Sequence, residues 1–457
     1  MNRIIRKMEK YIKADEIFNI FYKNTDAVFL DSSLDNDKGN YSIIGLNSYL
    51  KLMVKKDVLF VNGKESRNTF EKYLREYLHI NKEKNETDFP LISGAIGYIS
   101  YDYGRFNENI STRHTEKWDI PECIFNFYDN FIIEDIKNKT TYIIGNGKLK
   151  DSQESVKELE RHILKSYRVG EDGKKLKNSS IDIEYNIKVD SNFKREEYKK
   201  AIDKIIQYII EGDIYIANMT QQLKIYSEKP PYEVFKYLRK NNPSPFGGYL
   251  NYGEFQIISA SPERFLKVNN GIVTTRPIKG TRPRGVTQEE DNKFRNELEN
   301  SQKDKSELLM IVDLERNDLN KVCESGSVTV DELFTIEEYS TVFHLVSDIR
   351  GKLKSDLNVA DLIKATFPGG SITGAPKIRA MEIIDEIERS SRGIYTGSMG
   401  YISLDGNCDL NIIIRTALHK KNEYYLGVGG GITCESDLEF EYEETLQKAK
   451  ALLEAMK

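Results

Sequence analysis

The sequence predicts a mixed α+β fold, because strand-like and amphipathic helical stretches both recur along its 457 residues. In the first third, short stretches rich in β-branched and aromatic residues have the length and composition of strands. They cover residues 27–30, 41–44, 58–61 and 141–144, and glycine, asparagine and aspartate punctuate them. Beyond residue 190, strand-like and helical stretches alternate to the last residue.

Apolar residues at helical spacing predict a helix over about 156–167 and another that follows residue 191. Ser191 is a candidate N-cap for the second helix, and Gly212 is its expected end. Between the two helices lies a polar, charged stretch that is the best linker candidate. The predicted division is therefore an N-terminal region, a linker and a C-terminal region: residues 1–170, 171–190 and 191–457.

The bulk composition indicates a protein with a sizeable core and an ordinary surface, since 39% of residues are apolar and 30% are charged. The net charge of −5 gives no indication of a nucleic-acid partner. The four cysteines are far apart and lack CxxC spacing, which is typical of reduced cysteines in a cytoplasmic protein. No apolar run approaches the roughly 18 residues of a membrane span, and the first residues lack the features of a signal peptide.

Lys279 is the most informative residue of the chain. It lies between Pro277 and Gly280 in the segment TRPIKGT, and Glu263 precedes it by 16 residues in SPERF. That spacing allows two strands and a turn, so the amine and the acid can face each other. An amine and an acid together can form a covalent adduct and expel a leaving group. A lone lysine beside a turn is more often a surface residue, and only the other motifs favour a functional role.

Two predicted helices carry acids three residues apart. Asp304 and Glu307 form one pair, Glu441 and Glu444 the other, and Lys448 follows Glu444 by four residues. Residues at this spacing share a helix face. Two such helices that faced one cavity would form an oxygen-only site, which suits Mg²⁺. The alternative for either helix is a solvated acidic face.

Two glycine-rich turns are candidate anion-binding sites, although most such turns are only tight turns. They are residues 367–377 and 427–431. Arg415 lies in an apolar stretch that is typical of a buried strand. A buried guanidinium needs an anionic partner. His344 also lies in an apolar stretch, where a satisfied core histidine is the default interpretation.

Together these segments resemble the chorismate-utilising enzymes and, within them, component I of aminodeoxychorismate synthase; they are also similar to component I of anthranilate synthase. The resemblance is dense over about residues 190–455 and thinner before them. It rests on the ordered motifs GDIYIANMTQQL, SPERF, TRPIKGT, ELLMIVDLERNDL, FHLVS, FPGGSITGAPK, YTGSMGY, IIIRTAL, GVGGGI and FEYEETLQK. It implies a large two-subdomain β-sandwich with flanking helices.

The resemblance also implies a role for each motif residue. Glu263 matches the general acid, and Lys279 matches the nucleophile of the aminodeoxychorismate synthases, where anthranilate synthases carry alanine. Glu307 and Glu444 match magnesium ligands, with Asp304 and Glu441 in support. The implied substrate-binding residues surround the ring carboxylate or the enolpyruvyl group of chorismate: Gly280, Thr281, His344, Thr373, Tyr395, Arg415, Gly429, Gly431 and Lys448.

The implied reaction is amination of chorismate at C4 to 4-amino-4-deoxychorismate, for para-aminobenzoate and folate synthesis. The chain shows no recognisable amidotransferase machinery, so a separate glutamine amidotransferase subunit is the expected ammonia source. A tryptophan-binding pocket of the family matches Ser32, Asn40, Tyr41, Pro245, Phe246 and Gly247. Two alternatives are anthranilate synthesis on the same scaffold and a catalytically silent amino-acid-binding or assembly subunit.

Overall fold

A computed structural model describes residues 3–32, 40–108, 110–114, 118–171, 185–339 and 342–457. Strands and helices alternate along this part of the chain, as the sequence predicts. The strands are β1 (Ile4–Lys7), β2 (Val28–Asp31), β3 (Tyr41–Lys55), β4 (Val58–Val61), β5 (Lys64–Glu65), β6 (Gly94–Ile99), β7 (Cys123–Asp135), β8 (Thr140–Gly145), β9 (Lys188–Ser191), β10 (Ile216–Tyr226), β11 (Phe246–Asn251), β12 (Phe255–Ser261), β13 (Arg264–Asn269), β14 (Ile272–Arg276), β15 (Ile278–Pro283), β16 (Thr329–Glu338), β17 (Val342–Lys352), β18 (Gly374–Ala375), β19 (Ser398–Ser403), β20 (Cys408–Ile412), β21 (Thr416–Lys420) and β22 (Glu423–Ile432).

The helices flank these strands, and short 3₁₀ turns at Tyr101–Tyr103 and Gly370–Ile372 accompany them. The α-helices are α1 (Ala14–Phe21), α2 (Phe70–Ile80), α3 (Gly104–Glu108), α4 (Ser152–Glu171), α5 (Arg195–Ile210), α6 (Pro231–Asn241), α7 (Gln288–Glu299), α8 (Gln302–Val322), α9 (Val359–Thr366), α10 (Lys377–Ile387) and α11 (Leu438–Ala455). None of the helices in the described ranges is long and apolar enough to span a membrane.

Two antiparallel sheets share the long strand pair β3–β7, whose register runs from Tyr41 opposite Asp135 to Val54 opposite Cys123. The first sheet has the order β1-β8-β7-β3-β2-β11-β12-β21-β22-β10-β9. The second has the order β4-β3-β7-β6-β19-β20-β13-β14-β17-β16, with β15 also paired to β17. Every residue of β7 is buried, as expected for a strand common to both sheets.

The two sheets pack face to face, because apolar side chains of both enter one core. Val28, Leu250, Ile257 and Leu418 come from the first sheet, and Ile96, Tyr98, Met399 and Tyr401 come from the second. Helices α1, α4, α6 and α11 share a second core with the first sheet. Helices α2, α8 and α9 share a third with the second sheet. The predicted β-sandwich with flanking helices is confirmed.

Strands from both predicted regions pair with each other. In the first sheet β2 pairs with β11, and in the second β6 pairs with β19. Most of the predicted linker, residues 172–184, lies outside the described residues. Its end is part of the fold, since β9 pairs with β10 through Ser191 opposite Leu223. The division into two regions at 171–190 stays a prediction.

The prediction that Ser191 caps a helix is wrong, because α5 begins at Arg195 with Lys194 as its N-cap residue. Ser191 instead ends β9, and its hydroxyl donates a 2.7 Å hydrogen bond to Gln221 Oε1 and accepts one from the Phe193 backbone N–H. The same side-chain oxygen that favours an N-cap also favours such a turn.

Candidate functional site

Glu263 lies in the connection between β12 and β13, and its carboxyl is buried. Its backbone carbonyl accepts a 3.0 Å hydrogen bond from Ile412 of β20, which fixes the connection against the second sheet. Ser371 Oγ donates a 2.6 Å hydrogen bond to Glu263 Oε1. Burial raises the pKa of Glu263, and the Ser371 hydrogen bond and the charge of Lys279 oppose that rise. A carboxyl of this kind is suited to carry a proton.

Lys279 is at the start of β15, after the two strands β13 and β14, as the spacing predicts. Its charge acts on the buried carboxyls of both Glu263 and Glu307. Its Nζ also approaches β22, because a Cβ built on Gly431 would lie 3.1 Å from it. The amine is therefore near the acid, the α8 carboxyl and the glycine-rich strand, and the catalytic role of Lys279 stays a prediction.

The α8 acids face the same region. Burial raises the pKa of Glu307, and the charges of Asp304 and Glu444 raise it further, whereas Lys279 and Lys303 lower it. Asp304 accepts a 3.0 Å hydrogen bond from Arg282 Nη2. Gly280 has a φ of +73°, and any Cβ on it would lie 2.8 Å from Asp304 Cγ. Glycine is required there for both reasons.

The α11 acids lie under β22. Ser436 Oγ donates a 2.8 Å hydrogen bond to Glu441, whose pKa is raised by burial and by the charge of Glu444. Lys448 Nζ donates to Glu444 Oε2 at 2.7 Å and to the Gly429 carbonyl at 2.9 Å. A Cβ on Gly430 would lie 2.9 Å from Glu444 Oε2 and 3.1 Å from Glu441 Oε2. The two predicted acidic helices thus converge on one region.

The donor chemistry at this convergence fits Mg²⁺. Glu307 and Glu444 come from different helices, and the charge of Glu444 raises the pKa of Glu307, an effect that a bound cation would relieve. Within the described ranges, no three His, Cys, Asp or Glu side chains come together as a complete metal cage. Magnesium does not need one, since one or two carboxylates with water and substrate oxygens suffice. The magnesium site stays a prediction.

Two further predicted substrate-binding residues are the cationic Arg415 and the neutral His344. Arg415 lies between β20 and β21 with a φ of +49°, so the prediction that it lies in a buried strand is wrong. Its side chain is exposed and has no ion pair with any described residue. Burial and the Arg415 charge lower the pKa of His344 to about 4. His344 Nδ1 contacts Thr281 Oγ1 at 2.9 Å. A neutral histidine beside a free arginine suits an anionic substrate.

The remaining predicted substrate-binding residues have mainly packing contacts in the described structure. Tyr395 is buried, and its ring packs so closely on Gly427 that a Cβ there would clash with Tyr395 Cγ at 2.1 Å. Burial raises the pKa of Tyr395. Thr373 is buried and donates to the Gly369 carbonyl at 2.9 Å. Gly429 packs directly against the backbone carbonyl of Met219.

Sequence reasoning missed two polar groups beside the acid. Ser371 lies in the glycine-rich segment 367–377. Its hydroxyl could have been recognised in the sequence, because it is a polar side chain that follows two glycines and precedes the apolar Ile372. Glu315 is buried on α8, and Thr275 Oγ1 donates a 2.9 Å hydrogen bond to its Oε2. Burial raises the pKa of Glu315 to about 8, and the charge of Glu263 contributes. Its position on the buried face of α8 is visible only in the fold.

A cavity of about 1060 Å³, called the second cavity to set it apart from the catalytic region, is lined by Arg264 but not by Glu263. All six residues of the predicted tryptophan pocket line it: Ser32, Asn40, Tyr41, Pro245, Phe246 and Gly247. Arg264, Asp409 and Met399 line it as well. The six residues come from distant parts of the sequence, and the structure brings them together. Tryptophan binding itself stays a prediction.

Paired acids on two helices, a buried acid near a lysine, and an arginine without an ion pair among the described residues form a polar region that suits an anionic ligand. Comparison with known proteins identifies the family. Residues 31–454 match the family described as chorismate binding enzyme, to which this chain belongs.

Relatives of two activities match the chain almost equally. Anthranilate synthase component 1 of Acetivibrio thermocellus is 36% identical, over 98% of this chain and 94% of that protein. Aminodeoxychorismate synthase component 1 of Bacillus subtilis (strain 168) is 35% identical, over 92% of this chain and 89% of that protein. The crystal structure of anthranilate synthase component I from Streptococcus pneumoniae TIGR4 superposes with a TM-score of 0.81 at 30% identity, covering 92% of this chain and 93% of that one. The chain is a chorismate-utilising enzyme of the aminodeoxychorismate and anthranilate synthase type.

Proposed function

We propose that this chain aminates chorismate at C4 to give 4-amino-4-deoxychorismate, a reaction that would supply para-aminobenzoate and folate synthesis. The observation that carries the proposal is the position of Lys279, whose amine is near enough to the buried acid Glu263 and to Glu307 for its charge to act on both. An amine at this position can act as a nucleophile toward a ring whose leaving group faces Glu263.

In the first step, the lone pair of the Lys279 amine forms a bond to C2 of the ring. The ring double bonds shift, the C4–O bond breaks, and Glu263 gives its proton to the departing hydroxyl, which leaves as water. The raised pKa of Glu263 supports this role, because burial favours its protonated form. Ser371, which donates to Oε1, would orient the carboxyl.

In the second step, ammonia forms a bond to C4, the double bonds return, and the C2–N bond breaks. The bonding electrons go back to Lys279, which leaves as a neutral amine. A proton from the new C4 ammonium returns to the Glu263 carboxylate. The sum is chorismate and ammonia giving 4-amino-4-deoxychorismate and water, with both side chains restored.

Substrate binding uses the rest of the site. Glu307 and Glu444 would bind Mg²⁺, supported by Asp304 and Glu441. When bound, the ion would neutralise the ring carboxylate and make the diene more electron-poor. Arg415 and Tyr395 would bind the enolpyruvyl carboxylate, and the free guanidinium supports this assignment.

Anthranilate synthesis is the second candidate, because the anthranilate synthase of Acetivibrio thermocellus is as similar to this chain as the aminodeoxychorismate synthase of Bacillus subtilis. It would use the same acid, ion and carboxylate contacts without a lysine adduct. A separate glutamine amidotransferase is the proposed source of ammonia, and tryptophan is the proposed ligand of the second cavity.

Two measurements test the proposed reaction. With Mg²⁺ and ammonium, chromatography of the product should show 4-amino-4-deoxychorismate, and anthranilate would refute the proposal in favour of the second candidate. With Mg²⁺ and chorismate but no ammonia, mass spectrometry of the intact chain should show an adduct on the peptide that contains Lys279. Lys279→Ala should lose the adduct, and Lys352→Ala, an exposed lysine on β17, should keep it.

A further inference from the structure

Glu263 and Arg264 are consecutive residues, but only Arg264 lines the second cavity. The Glu263 carboxyl is buried beside Ser371 and Lys279 in the catalytic region. The Arg264 side chain lines the second cavity together with Phe246 and Asp409. Consecutive side chains of an extended chain point to opposite faces. The side chains of Glu263 and Arg264 therefore project from opposite faces of one short backbone segment.

Side chains of the second cavity fix Arg264 firmly. Its Nε and Nη2 donate to the two carboxylate oxygens of Asp409 at 2.9 and 3.0 Å, a bidentate pair. Its guanidinium lies over the Phe246 ring, 5.0 Å from the ring centre. Asp409 is in β20 and Phe246 is in β11, so the arginine joins the second sheet to a strand of the first.

The strand pairing of the backbone is interrupted next to Arg264. Arg264 pairs with Asn411 of β20 and Arg276 of β14, but the register shifts immediately after it on both sides. An interrupted ladder holds a residue less strictly than a continuous one. The bidentate pair with Asp409 adds a side-chain constraint to the backbone hydrogen bond, from Ile412 N–H to the Glu263 carbonyl, that holds the segment here.

We propose that Arg264 is a positioning residue for Glu263: clamped by Asp409 and Phe246 in the second cavity, it fixes the backbone from which the catalytic acid projects. This inference rests on the proposed role of Glu263 as the general acid. Arg264 itself does not reach the reacting atoms, so it acts only through its neighbour. Because proton transfer requires close geometry, a small displacement of Glu263 would slow the reaction without removing substrate contacts.

The test is Asp409→Asn, which keeps the shape of the side chain and removes its charge. The rate of chorismate consumption with Mg²⁺ and ammonium should fall about 10- to 100-fold in kcat. The chorismate KM should change by less than about threefold, since the carboxylate contacts remain. The alkaline limb of the pH profile should move to higher pH, because a displaced Glu263 would lose the Ser371 hydrogen bond that opposes the rise in its pKa. Asp409→Glu should recover part of kcat.

Ile272→Ala is the control, because Ile272 is exposed on the neighbouring strand β14 and does not line the cavity. It should keep the wild-type kcat and pH profile. Phe246→Leu is the second test variant if Asp409→Asn does not fold, and it should lower kcat in the same direction. Normal kcat in the folded variants, or a raised KM with normal kcat, would overturn the inference. A wild-type product other than aminodeoxychorismate would refute the proposed function alone, since chorismate consumption is measured here.

Discussion

The Lys279 amine lies next to the place that a side chain on Gly431 would occupy. A Cβ built on Gly431 would lie 3.1 Å from Lys279 Nζ and 3.3 Å from Ile216 Cδ1. Gly431 is opposite Asn218 in the β10–β22 register, so its backbone cannot retreat without disturbing that ladder. A side chain at this end of β22 would therefore push the Lys279 amine out of its present position by a few tenths of an ångström.

Gly431→Ala should reduce turnover about 10- to 100-fold, because the methyl group displaces the amine from its attacking position. The lysine adduct formed without ammonia should appear correspondingly more slowly in mass spectrometry. Gly430→Ala offers a contrast, since its methyl group would meet Glu444 and Glu441 instead. It should mainly raise the Mg²⁺ concentration needed for half-maximal rate. Equal adduct rates in wild type and Gly431→Ala would contradict the placement of Lys279.

Glu307→Ala or Glu444→Ala should abolish turnover while the chain stays folded. Removing one of two facing acids eliminates a proposed ligand and also relieves their repulsion in the absence of the ion. Mg²⁺ titrations followed by chorismate consumption, with thermal unfolding in chelator, would measure both effects. Glu443→Ala on the same helix is the control, because Glu443 pairs with Arg195. Full activity of either site variant in excess chelator would refute the metal site.

Much of the fold was accessible from the sequence where local patterns decide it. Residues 58–61 were predicted as a strand and form β4, and the helix predicted over 156–167 lies within α4. Ser191 and Arg415 were mispredicted for a shared reason. Each lies in a stretch whose local chemistry fits two structures, and only pairing with distant strands selects between them.

The residues of the candidate site were likewise predicted only where a local sequence pattern contains them. Residues in dense motifs, such as Glu263 and Lys279, were found because the motif carries them. Glu315 and the Arg264–Asp409 clamp were not found, because their partners lie on distant strands. Burial of Glu315 depends on how α8 packs against β14 and the 3₁₀ turn at Gly370–Ile372, which no spacing within the sequence indicates.

Glu315 should make the protein less stable as the pH rises. Its folded-state pKa of about 8 is above the ordinary value of 4.5, so between these values the folded chain binds more protons than the unfolded one. Its contribution is favourable below about pH 4.5 and is progressively lost up to about pH 8, at about 1.4 kcal/mol per unit of pKa difference. Glu315→Gln stays neutral and should therefore lose less stability between pH 5 and pH 8.

Denaturant unfolding of both chains at several pH values would measure the Glu315 effect. Glu324→Gln, an exposed partner of Lys352, is a control that should leave the pH dependence unchanged. Parallel pH curves for wild type and Glu315→Gln would show that the Glu315 carboxyl is ionised in the folded protein at neutral pH.

Tryptophan should bind to the second cavity, as its six predicted lining residues suggest. Phe246→Ala should weaken binding by at least about tenfold, or about 1.4 kcal/mol, because an aromatic wall is lost. Isothermal titration calorimetry with tryptophan would measure the affinity. Phe440→Ala, an exposed phenylalanine on α11, should bind like wild type. Equal affinity in both variants would place the ligand elsewhere, and no heat with wild type would refute the tryptophan assignment.

Ammonium should support turnover by the chain alone, and glutamine should not until a glutamine amidotransferase subunit is added. The reason is that every residue assigned to the chorismate steps belongs to this chain, whereas three of its four cysteines are buried and poorly suited to attack glutamine. Burial raises the pKa of Cys123, Cys323 and Cys408, which disfavours the thiolate that glutamine hydrolysis requires. Cys434→Ser removes the exposed thiol and should leave the ammonium-dependent rate unchanged. Chorismate consumption and glutamate release, measured side by side, decide the question: glutamate released by the purified chain would refute the need for a second subunit.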